Sequence, residues 1–417
     1  ADNTLSRIIH LVENAQDQKG RAQAWMERFG RRYSPVVLAT SALFLLLPWL
    51  TGGDMAAWSE RAVILLVAAA PCALVISLPI TMAAGIAGAG RRGILIKGGA
   101  HLEHLGVIHT IAFDKTGTLT HGKPRVTDVI AFDGDESTLL AVAGGLESSS
   151  GHPLARAIVD HVAERGIAAL QPEEFLSLTG SGAQAEIGGA MRYIGNPELF
   201  RDMGLSLADF ETRLRELQSA GKTVVLLGSK MQIQGLIALQ DTLRNDVQDI
   251  IAGLHAMNIR TVMLTGDNRR TAERVAARLG IDDVRADLKP EDKVNAVTAL
   301  LEDGPVLMVG DGVNDAPALA AATCGVAMGA AGTDAAIEAA DIALMADDLG
   351  KLEEALRLGR KARQVSLQNI VFAILVLVIL IPAGVGGFIG IAATVLAHEA
   401  SELLAVINGL RAGRSRA

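Results

Sequence analysis

Three long runs without charge decide what this chain can fold into. About 21 uncharged residues separate Arg32 from Asp54, about 29 separate Arg61 from Arg91, and about 35 separate Arg363 from Glu399. Roughly 20 apolar residues cross a bilayer. The third run is too long for one span and is interrupted at Pro382-Ala-Gly-Val-Gly-Gly. It therefore predicts one span near 366–386 and another near 390–409. The last span carries Glu399 and Glu402, and ionisable groups in a membrane helix mark function by default. Basic clusters flank the runs: Arg28, Arg31 and Arg32 before the first, Arg91, Arg92 and Lys97 after the second, Arg357, Arg360, Lys361 and Arg363 before the third, and Arg411, Arg414 and Arg416 after the fourth. An up-down, up-down path puts all four clusters on one side, as the positive-inside rule requires. Residues from about 92 to 364 then form one cytoplasmic module. The composition agrees, being 50% hydrophobic and only 20% charged over 417 residues. The net charge of −8 speaks against a nucleic-acid partner. Two cysteines, Cys72 and Cys324, make no disulfide framework and suit a reducing compartment.

Inside the module, apolar runs alternate with helical patterns. Val107-Ile-His-Thr-Ile-Ala-Phe, Thr261-Val-Met-Leu and Val306-Leu-Met-Val each end in a polar loop. Buried parallel strands read this way, and ligands gather at their carboxyl ends. The first run leads into Asp114-Lys-Thr-Gly-Thr-Leu-Thr. A carboxylate at a strand end, followed by glycine and hydroxyl residues, can act as a nucleophile toward phosphorus, with the following amides holding the phosphoryl oxygens. Asp311 and Asp315 after the third run add carboxylates suited to Mg2+. Thr265 after the second run offers a hydroxyl, and Lys293 in Pro290-Glu-Asp-Lys supplies a cation. Between the first and second strands lies an inserted segment, about 126–238, with a helix at Leu154–Arg165 and strands at Arg192–Ile194, Thr223–Leu227 and Ile233–Ala238. It holds Glu147, His152 in a Gly-His-Pro step, Gly180, Gly182, Gly195 and Asn196: close-approach glycines and an imidazole able to stack on a base.

Asp-Lys-Thr-Gly-Thr-Leu-Thr, Thr-Gly-Asp-Asn and Gly-Asp-Gly-Val-Asn-Asp-Ala-Pro together resemble the phosphorylation domain of the P-type ATPases, within the haloacid-dehalogenase superfamily. The resemblance implies a doubly wound phosphorylation domain carrying an inserted α+β nucleotide-binding domain, beneath a helical membrane bundle. It makes Asp114 the aspartyl-phosphate residue, with Lys115 beside it. Thr116 offers a carbonyl to Mg2+ and a side chain to the phosphate. Thr265, Gly266, Asp267 and Lys293 border the phosphate, Asp311 binds Mg2+, and Asn314 and Asp315 complete the pocket. Asp241-Thr-Leu-Arg244 resembles the family's hinge. Phosphatases of the superfamily carry a second Asp two residues after the nucleophile as acid/base. Thr116 stands there instead, which suits a longer-lived acyl-phosphate. The inserted segment resembles the nucleotide domain of the heavy-metal branch, where the His and Glu meet adenine and the glycines lie beside the nucleotide. Gly151 replaces an acidic residue usual there.

In span two, Ala70-Pro71-Cys72 combines a proline, which frees a backbone carbonyl, with a thiol, a soft metal ligand. It resembles the metal-binding triplet of the same branch, with Ala70 in place of a first ligand. His398-Glu399-Ala-Ser401 resembles the motif of the subgroup linked to zinc, cobalt and similar divalent ions, with Ala400 replacing Gly. Cys72, His398 and Glu399 are the expected transport ligands. Cys324 is read as structural, and His101, His104 and His109 as bland.

The resemblance predicts ATP-driven export of a divalent heavy-metal cation such as Zn2+, Co2+ or Cd2+ across the plasma membrane, with ATP and Mg2+ as cofactors. The alternatives are a Cu+-type pump or a membrane-anchored phosphatase of the superfamily. Expected boundaries are a helical linker at 1–32, two transmembrane helices at 33–91, and the phosphorylation domain at 92–125 and 239–364. The nucleotide domain is expected at 126–238, two further transmembrane helices at 365–410 and a tail at 411–417. No actuator-type Thr-Gly-Glu loop is found, so the chain is expected to be the later part of a pump, partnered by an actuator domain and earlier helices of the same protein.

Overall fold

The computed structural model describes residues 21–178, 180–311, 315–329 and 340–414. The chain divides into two compact units, one of residues 1–109, 303–307 and 322–417, the other of 110–302 and 308–321.

The first unit is mainly helical: α1 (Arg21–Thr51), α2 (Met55–Ala68), α3 (Cys72–Gly90), α4 (Lys351–Val385) and α5 (Ile391–Leu410). Among the described residues, four segments are long and apolar enough to cross a membrane, at Arg28–Thr51, Met55–Gly90, Lys351–Val385 and Ile391–Gly413. Large apolar side chains point outward along them, Trp49 and Leu50 being 79% and 81% exposed. Water would not tolerate such a surface, whereas lipid solvates it. The chain is a multi-pass membrane protein. Helix contacts inside the bundle rest on small residues. A Cβ on Gly384 would lie 2.2 Å from Ile64 Cγ2, and one on Gly88 2.6 Å from the Gly413 carbonyl. This is the close approach that membrane helices use in place of hydrophobic burial.

Asp54 opens α2, its carboxylate accepting from the Ala56 amide at 2.9 Å. The proline of Ala70-Pro71-Cys72 does more than kink one helix. It separates α2 from α3. The Val67 carbonyl that Pro71 would leave unpaired accepts from the Ala70 amide at 3.3 Å, and the Pro71 carbonyl receives the Leu74 and Val75 amides, both at 3.1 Å. The expected free carbonyl is thus closed locally, by a tight turn at one helix end and by the first bonds of the next. Beside the helices, strand Ile94–Ile96 pairs antiparallel with Ile342–Leu344, which runs parallel to Cys324–Ala327.

In the second unit, Thr110–Asp114 runs parallel to Arg260–Leu264, which runs parallel to Asp283–Arg285. Helices Arg269–Leu279 and Pro290–Leu301 follow the latter two in sequence. This strand–helix alternation is the doubly wound pattern. The first strand starts at Thr110 rather than Val107, because the Val107 amide still bonds the His104 carbonyl of the preceding helical turn at 3.0 Å.

The same unit holds a six-stranded antiparallel sheet. Its order is Thr120–Ala131, Ile233–Leu243, Thr223–Gly228, Ala190–Gly195, Gly182–Ile187 and Glu173–Leu178. Alternation sets its two faces. Val225, Leu227, Ile237 and Leu239 pack under helices Glu136–Glu147 and Pro153–Glu164. Val224, Leu226, Leu236 and Ala238 pack with Phe200, Leu214 and Leu217 on the other side. Period-two burial on both faces makes the sheet a two-sided core.

Candidate functional site

Asp114 ends its strand with only 5% of its surface exposed. Lys293, in the first turn of helix Pro290–Leu301, donates to Asp114 Oδ1 at 2.6 Å and to Asp315 Oδ1 at 2.7 Å. Asp315 is 2% exposed and folds back over Gly310, where a Cβ would lie 2.7 Å from its Oδ2. Gly310 is therefore required for the approach. Asp311 is near enough to add its charge, and its Cβ would sit 3.6 Å from a Cβ placed on Gly117. Burial first, then Asp315, pushes the Asp114 carboxyl up to about 7, while Lys293 pulls it down. Burial works against the Lys293 ammonium, but Asp114 and Asp315 more than offset it, so its pKa lies above the ordinary lysine range. Two carboxylates thus share one ammonium with a third, Asp311, close to Asp114, an arrangement that favours a further cation.

The loop after Asp114 is tightly held. Thr116 is extended, Gly117 turns with φ 76°, and the Thr120 hydroxyl accepts from the Gly117 amide at 3.1 Å. The same hydroxyl donates to Asp241 Oδ2 at 2.5 Å, and the Asp241 carboxylate also accepts from the Gly122 and Lys123 amides, each at 3.1 Å. Arg244 Nε donates to the Thr118 and Thr120 carbonyls at 2.8 and 3.2 Å, and Nη2 to the Gly117 carbonyl at 3.3 Å. Sequence reasoning named Asp241 and Arg244 only as a hinge and did not single out Thr120. Their spacing from the loop in sequence hides a clamp that only tertiary structure closes.

Thr265 is buried at the end of its own strand. Its Oγ1 accepts from the Asp267 amide at 3.1 Å, which leaves its hydroxyl proton to point elsewhere. Asp267 pairs with Lys115, so the loops after two strands are joined by an ion pair. Gly266 passes close to the Leu288 carbonyl, 3.2 Å from where a Cβ would sit. Asn314 lies outside the described residues.

The residues expected to meet nucleotide share the six-stranded unit. Glu147 ends its helix, and burial raises its carboxyl to about 7 against a hydrogen bond from Ser150. His152 caps helix Pro153–Glu164, its Nδ1 accepting from the Leu154 amide at 3.2 Å, and burial lowers its pKa. Gly182 and Gly195 are directly paired in neighbouring strands. A Cβ on Gly182 would lie 2.1 Å from the Ile194 carbonyl, and one on Gly195 2.3 Å from the Ser181 carbonyl. The two glycines therefore serve strand-to-strand approach, while Gly180, with φ +74°, faces open space. Asn196 caps the following helix through Leu199 N at 2.9 Å and reaches the Gly180 carbonyl at 3.3 Å.

Among the membrane helices, Cys72, His398 and Glu402 each offer a ligand atom, all within 4.8 Å of one another. His398 Nε2 lies 3.3 Å from Glu402 Oε1. A narrow cavity beside them is lined by Ala70, Pro71, Leu74, Leu377, His398 and Ser401. Glu399, the carboxylate expected here, stands on the exposed side of α5. A helix turns about 100° per residue, so the neighbour of His398 faces away while the residue four later returns to its face.

Comparison with known proteins agrees with this geometry. Residues 108–323 match the haloacid dehalogenase-like hydrolase family. The chain is 44% identical over 419 residues to a "Probable cadmium-transporting ATPase" of Staphylococcus aureus (strain MRSA252), covering 98% of this chain and 58% of the relative. It is 42% identical over 417 residues to the "Zinc/cadmium/lead-transporting P-type ATPase" of Escherichia coli (strain K12), covering 99% and 56%. The chain thus spans somewhat more than half the length of these relatives. A crystal structure of a zinc-transporting PIB-type ATPase in the E2.Pi state superposes with a TM-score of 0.72 at 41% identity, over 98% of this chain and 67% of that one. With a buried aspartate at a strand end, a lysine bridging it to a second aspartate, and membrane helices in the same chain, the protein belongs to the PIB-type P-type ATPases, whose catalytic core is a haloacid dehalogenase-like hydrolase domain.

Proposed function

We propose that this chain carries the phosphorylation, nucleotide and ion sites of an ATP-driven exporter of a divalent heavy-metal cation. The observation that carries the reading is the Lys293 ammonium held between Asp114 and Asp315 at the strand end. Asp114 Oδ attacks the γ-phosphorus of ATP. An O–P bond forms, the bond from the γ-phosphorus to the bridging oxygen breaks, and ADP leaves with that electron pair. Lys293 offsets the charge on the transferring group, and the Thr265 hydroxyl donates to one of its oxygens. The Thr120–Asp241–Arg244 clamp fixes the loop whose amides face the phosphoryl group. Water later cleaves the acyl-phosphate. Thr116 supplies no carboxylate to speed that step, which distinguishes the site from a phosphatase.

The carboxylates of Asp114, Asp315 and Asp311 fit a hard dication with oxygen ligands, and Asp114, Asp311 and the Thr116 carbonyl are the residues that would hold Mg2+. Such an ion supplies charge neutralisation to the incoming phosphate. For the nucleotide we assign adenine contact to Glu147 and His152, with Gly180 and Asn196 shaping the adjacent loop; Gly182 and Gly195 support the sheet beneath.

The cargo reading rests on the membrane triad. Cys72, His398 and Glu402 combine sulfur, nitrogen and oxygen donors, a set suited to Zn2+ or Cd2+ rather than to Cu+, which favours paired thiolates. The similar proteins named for cadmium and for zinc, cadmium and lead support the same class. The test is phosphoenzyme formation by the full-length protein from γ-labelled ATP and Mg2+. Acid-stable, hydroxylamine-sensitive label that is absent in Asp114→Asn and dependent on Zn2+ or Cd2+ is expected. Label that persists in Asp114→Asn sinks the reading.

A further inference from the structure

A second group of metal-ligating side chains lies outside the membrane spans, on residues the sequence had not marked for chemistry. His101 belongs to helix Gly99–Leu105, Cys324 opens strand Cys324–Ala327, and Asp341 stands just before strand Ile342–Leu344. A ligand atom from each lies within 4.8 Å of the other two. His101 Nδ1 is 3.4 Å from Asp341 Oδ1. The carboxylate is already aimed: its Oδ2 accepts from the Gly325 amide at 2.9 Å, next to Cys324, and its main chain is pinned by the Lys97 amide at 3.0 Å and to the Gly325 carbonyl at 3.0 Å. Such a hydrogen bond to a ligand carboxylate is what orients it in a metal site.

We propose that His101, Cys324 and Asp341 bind a borderline divalent cation such as Zn2+ or Cd2+, at a site separate from the Cys72 cluster. Donors around zinc at bond lengths of about 2.0–2.3 Å stand roughly 3–4 Å apart, so the trio closes on an ion by moving about 1 Å. One sulfur, one nitrogen and one oxygen is a donor set that zinc and cadmium accept and magnesium does not. His104 follows one turn later with its ring 6.1 Å from that of His101, and its Nδ1 is buried without a hydrogen-bond partner. Asp341, with 32% of its side chain exposed, opens the site to solvent, while Cys324 is sealed at the other end. Binding forms an Sγ–metal bond and releases the Cys324 thiol proton to solvent.

The site is mechanically connected to the membrane. Helix Gly99–Leu105 lies against α4, where a Cβ on Gly359 would meet Leu105 Cβ at 2.4 Å and the Gly106 amide at 2.9 Å. α4 continues from there into the third span. A cation joining His101 to the two strands would therefore brace a helix packed on a transmembrane element. The inference does not depend on the transport reading, since none of its ligands belongs to the Cys72 cluster.

The chain's cysteine content makes the test direct. With only two cysteines, Cys72→Ala leaves Cys324 as the sole thiol. The chelator-stripped 417-residue chain is titrated with Cd2+ and the thiolate-to-cadmium ultraviolet band is followed, without ATP. The Cys72→Ala protein should bind one equivalent through the thiolate. The band should vanish in Cys72→Ala/Cys324→Ser, and the affinity should fall about 10–100-fold when His101→Gln or Asp341→Asn is added. Nucleotide affinity provides the folding control for each variant. The absence of a thiolate band from the folded Cys72→Ala protein overturns the proposal, as does a band of unchanged affinity in both the His101→Gln and Asp341→Asn proteins. Loss of transport in Cys72→Ala with retention of this band would separate the two sites.

Discussion

Arg244→Met should cripple phosphorylation without touching any atom that reacts. The guanidinium is 6% exposed and donates to the carbonyls of Gly117, Thr118 and Thr120. Methionine fills similar volume but donates nothing, so the loop loses a bond of 2.8 Å and two weaker ones at 3.2 and 3.3 Å. A buried carbonyl stripped of its partner costs about 1–3 kcal/mol. Water can replace part of this at the half-open end near Gly117, so the net loss is about 3–5 kcal/mol. For a unit of this size that is about 10 °C in the midpoint of heat inactivation. Below that temperature the loop still forms but is less well placed, and a 1 Å displacement at a reacting centre costs about 10²-fold in rate. The assay is the initial rate of hydroxylamine-sensitive label from ATP, measured after pre-incubation across a temperature series. ATP affinity should stay within about twofold, because Glu147 and His152 belong to a different part of the unit. Wild-type labelling rate together with an unchanged inactivation midpoint in Arg244→Met would refute the clamp.

Lys293→Met should lower the phosphorylation rate at least 10²-fold, because two nearly buried carboxylates would then face the phosphate without a cation; a rate within threefold of wild type would count against the bridging role. Glu402→Gln should reduce Cd2+-stimulated ATPase activity of the full-length protein by at least about tenfold and Glu399→Gln by less than about threefold, and the reverse ranking would return the transport site to the neighbouring carboxylate. Glu147 gives a pH prediction. Its folded pKa, about 7, lies above the ordinary 4.5, so the fold holds the proton more tightly than the unfolded chain. Its cost to stability is absent below about pH 4.5, grows as pH rises through the window and is complete above about 7, reaching about 3 kcal/mol. Glu147→Gln should therefore raise the heat-inactivation midpoint of nucleotide binding at pH 8 and leave it nearly unchanged at pH 5; an equal effect at both values would mean the carboxyl is not held protonated.

The parts of the fold visible in the sequence were those written in local pattern. Uncharged length identified the spans, and strand runs ending in Asp114, Thr265 and Asp311 located the candidate catalytic edge, because ligand chemistry sits where parallel strands stop. What stayed hidden depends on tertiary closure. Thr120 reads as one more hydroxyl in a threonine-rich loop until Asp241, more than a hundred residues away, meets it. Gly182 and Gly195 read as close-approach positions, and only the strand register shows that each approaches the other's backbone.

The proposed transport ligands show the converse, a feature that was legible and was outweighed. His398 and Glu399 are adjacent, and the motif resemblance joined them in one site. Yet the run around them is helical by every local signal, and adjacent residues on a helix point about 100° apart. If His398 faces Cys72 across the bundle, the partner on the same face is the residue four positions on, which is Glu402. In the structure His398 is buried, Glu402 lies 3.3 Å from it, and Glu399 stands on the exposed side. Helical period and the cost of a charge in hydrocarbon therefore point to different requirements for the two glutamates. Glu402 can be held by an ion and a histidine inside the bundle. Glu399 stands on the exposed side of α5, within electrostatic reach of Cys72, where water, a headgroup or another polypeptide can solvate it.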